Sequence, residues 1–365
     1  MIPIFEPYFS GNEKKYLLDC IESGWISSQG EYILRFEESL AKYHNSKHCV
    51  ATSSCTTAIH LALKSLDIEK DDEVICPALT FIAPANMIVL SGAKLVLVDI
   101  DPKTLTIDPK QIIKKITNKT KAIIVVHQFG HSAHMDEIMK IADDYNLRII
   151  EDNAESLGGR YKGKLLGTIG DIGAFSFFAN KIITTGEGGA IITNDDSIAD
   201  KARVLRDHGM SKERRYHHLE LGYNYRMTNM QAAIGLAQIE KLDEILSIRK
   251  TQMEVYYENL GDIEGIHLRE FLDWTSPVHW LMTLSIRNNK SLEDISRFMK
   301  SNGIEIRPMI NPVHCAEHFK DDFLADDYPN SNEASKDFIH LPSSTSLSDD
   351  NLEKIILAVR ECLKS

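Results

Sequence analysis

No CxxC pair occurs in this chain. Its six cysteines, Cys20, Cys49, Cys55, Cys76, Cys315 and Cys362, are scattered, which argues against a zinc site and against a disulfide framework. A run of about 18 apolar residues is missing too, so no segment reads as a membrane-spanning helix. The opening MIPIFEPYFSGNEKKYL lacks a basic stretch followed by a long apolar core, so a secretory leader is not expected. Positive charge is in deficit: the net charge is −12, which disfavours a nucleic-acid or anionic-membrane partner. Repeats and low-complexity tracts are also lacking. These absences leave a reducing, cytoplasmic setting as the expectation.

What is present is ordinary for a globular enzyme, with 43% hydrophobic and 26% charged residues over 365 positions. That length suffices for two domains, or for one large domain with an appendage. Short β-branched runs recur at 48–52, 73–77, 94–100, 121–127, 147–153, 174–178 and 189–194. They are continuously apolar rather than alternating, which predicts a mostly parallel sheet covered on both faces. Helix-like segments such as TTAIHLALKSL, IMKIADDY and SIADKARVL lie between them, as crossover units require. From GYNYRMTNMQAA onward the texture turns to one long helix or two, and VHWLMTLSI, IEIRPMI and NLEKIILAVRECL predict a smaller α+β unit. The expected division is 1–245 and 246–365. The spatial order of the strands is not readable from the sequence.

Four stretches carry chemistry. In TSSCTTAIHLAL, small hydroxyl residues directly precede a helix, a geometry that binds phosphate and that also serves plain N-capping. In IIEDNAES a hydrophobic strand ends in acids, at the carboxyl edge where ligands of open α/β sheets gather. Asp152 there could face a positively charged ring nitrogen or simply cap a turn. In FSFFANKIITTGEGG, Lys181 stands inside an apolar run. An ammonium without a paired partner there is driven toward the neutral, nucleophilic amine, unless its stem lets the head reach water. Gly186, Gly188 and Gly189 are expected to permit a sharp return with positive φ. In PALTFIAPAN, Phe81 follows a strand and could lie over a planar ring or belong to the core.

Two other stretches carry less. GGRYKGKL has the spacing of a phosphate-binding loop, but Leu165 stands where a Mg²⁺-binding hydroxyl is required. HQFGHSAH places three histidines close together without acid or thiol companions at ligand spacing, so no metal site is expected. No GxGxxG follows the first strand, which disfavours a dinucleotide-binding fold.

In this order, GWISSQG, TSSCTTA, PALTF, EDNAES, FSFFANK with ITTGEGG, and GYNYRMTNMQAA resemble the DegT/DnrJ/EryC1/StrS sugar aminotransferases over essentially the full length. The resemblance implies an α/β fold-type I pyridoxal phosphate enzyme, aspartate aminotransferase-like, with a mostly parallel seven-stranded sheet in the large domain and a smaller α+β C-terminal domain. Lys181 would form the Schiff base with pyridoxal 5′-phosphate and shuttle the proton. Asp152 would hold the ring nitrogen protonated. Thr56, Thr57 and Ser176 would grip the phosphate with Cys55 beside them, and Phe81 would stack on the ring. Glu155 stands where many relatives carry Gln or His near the phenolic oxygen. Family members share their sites across a homodimer, so Asn224 would reach the partner's phosphate.

The implied reaction moves an amino group from L-glutamate to a nucleotide-linked 4-keto-6-deoxy sugar. Related dehydratases carry histidine at the position of Lys181, so lysine favours transamination. GWISSQG and FSFFANK point to the subgroup that aminates C4 of GDP-4-keto-6-deoxymannose to give GDP-perosamine for O-antigen and lipopolysaccharide. A dTDP- or UDP-linked keto sugar, a keto-inositol, and a non-catalytic regulator are the alternatives. Arg226 and Arg307 are candidates for forked recognition of carboxylate or diphosphate, or else for ion pairs. Trp25, Ser27 and His314, the last in RPMINPVH, are further candidates for the substrate pocket.

Overall fold

The structure of the protein, a computed structural model, describes residues 1–287 and 290–364. Its strands in the first half are β1 (His48–Thr52), β2 (Glu73–Pro77), β3 (Lys94–Val98), β4 (Thr120–Val126), β5 (Arg148–Asp152), β6 (Arg160–Tyr161), β7 (Lys164–Leu165), β8 (Ile172–Ser176) and β9 (Gly189–Thr193). Helices α1 (Glu13–Ser23), α2 (Glu31–His44), α3 (Cys55–Ser65), α4 (Ala83–Leu90), α5 (Pro109–Lys115), α6 (Met135–Tyr145), α7 (Asp196–Arg206), α8 (Asn229–Ile239) and α9 (Leu242–Leu260) accompany them. The later elements are β10 (Ile266–Leu268), β11 (Thr275–Ser276), β12 (Met282–Ile286), α10 (Leu292–Ser301), β13 (Arg307–Pro308), α11 (Pro329–Asp337), β14 (Phe338–Leu341) and α12 (Asp349–Lys364).

Seven strands form one sheet in the order β1-β9-β8-β5-β4-β2-β3. The pairs β2–β3, β2–β4, β4–β5 and β5–β8 are parallel, whereas β9 runs antiparallel to both β1 and β8. Each apolar run read from the sequence coincides with a strand of this sheet to within about two residues. Their continuity has a plain cause: β2, β8 and β9 are buried at every position, because apolar layers cover both faces. One layer gathers Phe36, Leu40, Phe175, Phe177 and Leu236, and the other Val50, Ile59, Leu61, Ile124 and Ile191.

The pattern GGRYKGKL is the hairpin β6–β7, with Lys162 and Gly163 at positive φ of 47° and 82° in its turn. Two of the histidines of HQFGHSAH have close protein partners. His127 Nε2 lies 3.0 Å from Glu151 Oε2, and His131 is stacked against Phe271 and bonded to Ser132 O. Among the described residues no cluster of three or more His, Cys, Asp or Glu could hold a metal ion. None of their helices is long and apolar enough to cross a membrane.

Residues 245 and 246 fall inside α9, so the chain leaves the large sheet along a continuous helix rather than a linker. Beyond it, the order β10-β12-β14-β13 makes a second sheet, antiparallel throughout. Met282, Leu284, Ile339 and Leu341 turn one face of that sheet to a core with Met299, Ile355 and Val359. The N-terminus joins this unit: Ile2 bridges Ile304 and donates its N–H to Gly303 O at 2.7 Å.

Burial holds the imidazoles of His44, His131, His279 and His340 at about 4, 3, 4 and 3, against a usual 6.5. An unfolded chain takes up these protons first, so their contribution to stability is complete above that usual value and is lost as pH falls toward the folded values. Asp152 and Glu155, whose pKa burial raises, give a slope of opposite sign. We expect urea unfolding between about pH 6 and 5 to show a net uptake of roughly two to four protons, at about 1.4 kcal/mol per proton per pH unit. A stability flat across that interval would contradict this reading.

Candidate active site

The carboxyl ends of β1, β2, β4, β5 and β8 open on one edge of the large sheet, and the reversed β9 begins there. A cavity of about 520 Å³ lies at this edge. Ser54, Cys55, Thr56, Thr80, Phe81, Phe129, Asp152, Glu155, Ser176 and Lys181 line it from the large sheet, and Trp280, Arg307 and His340 close it from the C-terminal unit.

Helix α3 points its N-terminus into the cavity. Ser54 caps it, accepting from Thr57 N at 3.2 Å while Thr57 Oγ1 accepts from Ser54 N at 3.1 Å. This reciprocal pair leaves the first-turn N–H groups of Cys55 and Thr56 without helix partners. With the helix dipole they form a site for an anion. Thr57 is therefore spent on the cap and does not line the cavity.

The glycine turn does its work differently from the expectation. Only Gly186 takes positive φ, 81°. Gly189 is needed for close approach: a Cβ there would lie 2.4 Å from the carbonyl carbon and oxygen of Ser54 and 2.5 Å from Cys55 N. The start of β9 and the start of α3 are thus in backbone contact.

Lys181 is 13% exposed, and its charge is not solitary. Nζ lies 3.7 Å from Glu155 Oε1 and 3.8 Å from the centre of the Trp280 ring. Trp280 is fixed in turn by donating Nε1–H to Asn180 O at 2.6 Å. An acid and an aromatic face thus position the amine, and the lysine is not isolated among its apolar neighbours in sequence.

Asp152 accepts from Ala154 N at 2.9 Å, with Cys55 Sγ at 3.9 Å. Burial raises its pKa, against the opposing pull of Lys181. Glu155 is raised by burial too, and its Oε2 accepts from Phe129 N at 2.7 Å. Phe129 is left-handed, φ 50°, and its carbonyl accepts from the buried Arg269 at 3.1 Å. The two peptide groups flanking its Cα are thus both held, and its ring stands parallel to Trp280 at 6.3 Å. Phe81 is 63% exposed at the cavity mouth.

Several residues named from the sequence lie elsewhere. His314 is buried, stacked on Tyr328 and bonded to Asn332 Oδ1 at 2.9 Å, so packing in the C-terminal unit occupies it. Arg226 is held by Asp207 at 2.9 Å and by Asn224 at 3.1 Å, outside this cavity. Trp25 is exposed, and its carbonyl and that of Ser27 accept from the side chain and backbone of Asn229 at 2.6 Å each. The walls Phe129, Trp280 and His340 were not singled out in the sequence. Trp280 sits within the recognised run VHWLMTLSI, but nothing local relates it to Lys181.

A profile of the DegT/DnrJ/EryC1/StrS aminotransferase family matches residues 7–360. Among curated relatives, a GDP-perosamine synthase of Escherichia coli O157:H7 is 40% identical over 360 residues, covering 99% of this chain and 98% of that one. Another GDP-perosamine synthase, from Caulobacter vibrioides, is 41% identical over 365 residues, with the same coverage of each. Among solved structures, DesV of S. venezuelae in complex with a ketimine intermediate superposes with a TM-score of 0.92 at 30% identity, covering 97% of this chain and 95% of that one. Spr1654 of Streptococcus pneumoniae, in its PLP form, gives 0.93 at 28% identity, covering 100% and 98%.

Proposed function

Since the chain belongs to the DegT/DnrJ/EryC1/StrS aminotransferase family, we propose that it transfers the amino group of L-glutamate to C4 of GDP-4-keto-6-deoxymannose, giving GDP-perosamine, with pyridoxal phosphate as cofactor. The observation that carries this is the setting of Lys181, whose amine lies between Glu155 and Trp280 in the one cavity that also holds Asp152 and the start of α3. The fit to the cofactor rests on the donor set. Free first-turn N–H groups at Cys55 and Thr56, with the Thr56 and Ser176 hydroxyls, suit its phosphate. A buried carboxyl at Asp152 suits its ring nitrogen, Phe81 its ring face, and Lys181 its aldehyde.

When bound, the cofactor supplies an electron-withdrawing ring that stabilises the carbanion at the amino acid's Cα. The chain's own groups do the rest. Lys181 would hold the cofactor by its aldehyde, and its amine would carry the proton during amino transfer. Asp152, buried at the end of β5, would keep the proton on the cofactor's ring nitrogen. Glu155 accepts from the displaced ammonium, while Trp280 and Phe129 exclude water. Arg307 lies on the same wall and takes the carboxylate of the donor or the diphosphate of the acceptor.

We assign 1–245 to cofactor binding and 246–365 to closing the cavity. The working enzyme is a cytoplasmic homodimer in which Asn224 and its neighbours serve the partner's site. The test is to mix purified protein with GDP-4-keto-6-deoxymannose and glutamate and follow 2-oxoglutarate and the amino sugar. Release of 2-oxoglutarate with dTDP- or UDP-linked keto sugars alone would discard the GDP assignment.

Gly189→Ala checks the phosphate cradle. Pushing β9 off the start of α3 should weaken cofactor binding by about 10- to 100-fold, as expected when first-turn donors are displaced from an anion. Cofactor titration monitored by absorbance measures this, and an unchanged affinity would show that the contact with Ser54 is not needed.

A further inference from the structure

The face of the small sheet turned toward the cavity is polar. Met282, Leu284, Ile339 and Leu341 point to the apolar core, so by strand alternation Thr283 and His340 point the other way. The register aligns Thr283, His340 and Arg307 across three adjacent strands. Arg307 and His340 both line the cavity.

His340 is 1% exposed, and only one of its two ring nitrogens has a partner. Nδ1 lies 3.0 Å from Thr283 Oγ1, and Nε2 has no hydrogen-bond partner among the described residues. The Thr283 hydroxyl has an acceptor of its own in Leu281 O at 3.4 Å. With its proton there, Thr283 accepts from Nδ1–H, and Nε2 presents a bare lone pair. Burial, with Arg307 and Arg269 nearby, keeps the ring neutral at working pH. Phe129, 4.7 Å away centre to centre, fixes the ring's position.

A buried lone pair of this kind costs free energy until a donor fills it. A carboxylate and a diphosphate offer no proton at neutral pH, so neither glutamate's acid groups nor the nucleotide's phosphates can do so. A sugar hydroxyl can. We propose that His340 is a specificity-determining residue whose Nε2 accepts a hydrogen bond from a ring hydroxyl of the hexose acceptor, while Arg307 beside it takes an anionic oxygen. This rests on the nucleotide-sugar reading above and adds to it the group that recognises the sugar.

The two half-reactions separate the sugar from the amino donor. In His340→Phe, kcat/KM for GDP-4-keto-6-deoxymannose with the aminated enzyme should fall about 10- to 100-fold, while the glutamate half-reaction changes less than about threefold. His340→Gln, which keeps an acceptor, should recover part of the loss. Thr283→Val, which leaves the ring free to turn over, should show the same selectivity more weakly. One of the 2-deoxy and 3-deoxy analogues should be a correspondingly poor acceptor for the wild type, yet match the parent sugar in His340→Phe. Equal losses in both half-reactions, or analogue discrimination that survives the substitution, would overturn the assignment. A wild-type enzyme that turns over glutamate but no GDP-linked sugar would instead remove the substrate reading, and the proposal with it.

Discussion

Lys181→Ala is expected to lose at least about 10,000-fold in kcat, because on the proposed mechanism one substitution removes both the covalent attachment and the proton carrier. Lys181→Arg should lose as much. It keeps a cation for Glu155 and the Trp280 ring, which stand 3.7 and 3.8 Å from Nζ, but supplies no neutral amine. The pair therefore separates the chemistry of the lysine from its part in a charged cluster. Both variants should still bind the cofactor, since the start of α3, Ser176, Asp152 and Phe81 are untouched. The bound chromophore should no longer be fixed to the protein by borohydride. Turnover within about 100-fold of wild type in either variant would place the proton transfer on another group.

Asp152→Asn has the second-largest effect. The amide can still accept from Ala154 N, where the carboxylate does so at 2.9 Å, so the end of β5 should keep its shape. What is lost, on the proposed mechanism, is the negative charge that would hold a proton on the ring nitrogen, and kcat should fall about 100- to 1,000-fold, the scale seen when one preorganised charge partner is removed. The cofactor-free protein should respond in the opposite sense. Burial raises the pKa of Asp152, so its ionisation works against folding: any stability it contributes is present below the unfolded value and is lost as pH rises through the folded one. Cofactor-free Asp152→Asn should thus unfold no lower than wild type at pH 7, while the loaded variant unfolds lower than loaded wild type. Thermal unfolding with and without pyridoxal phosphate decides this, and a lower Tm in the cofactor-free variant would mean that the carboxylate is structural.

Residues at strand ends were legible because a buried parallel strand announces itself, and its last residue is the one at the ligand edge. Asp152, Ser176 and Phe81 follow from β5, β8 and β2 in this way, and all three line the cavity together with Lys181. The strand order was hidden, since the reversal of β9 depends on pairing with β1 and leaves no mark in GAIIT. The opposite wall was hidden for a related reason. Phe129, Trp280 and His340 sit in runs that read as ordinary core, and they become cavity residues only when the second sheet faces the first. Thr57 and His314 show the converse case, in which a suitable side chain stands in a suitable motif but makes local hydrogen bonds and does not line the cavity.

The pairing of β1 with β9 also sets an order of events during synthesis. His48 finds its partner in Thr193 and Thr52 in Gly189, so the start of α3 waits for a segment that leaves the ribosome much later. Such distant pairings carry a large loop-closure cost and slow assembly. A nascent chain arrested before β9 holds Asp152 and the hydroxyls of α3 but neither the strand that braces them nor the lysine loop's return. Vitamin capture is therefore expected late in folding, after β9 has paired with β1, and cofactor uptake by arrested nascent chains of increasing length would check it.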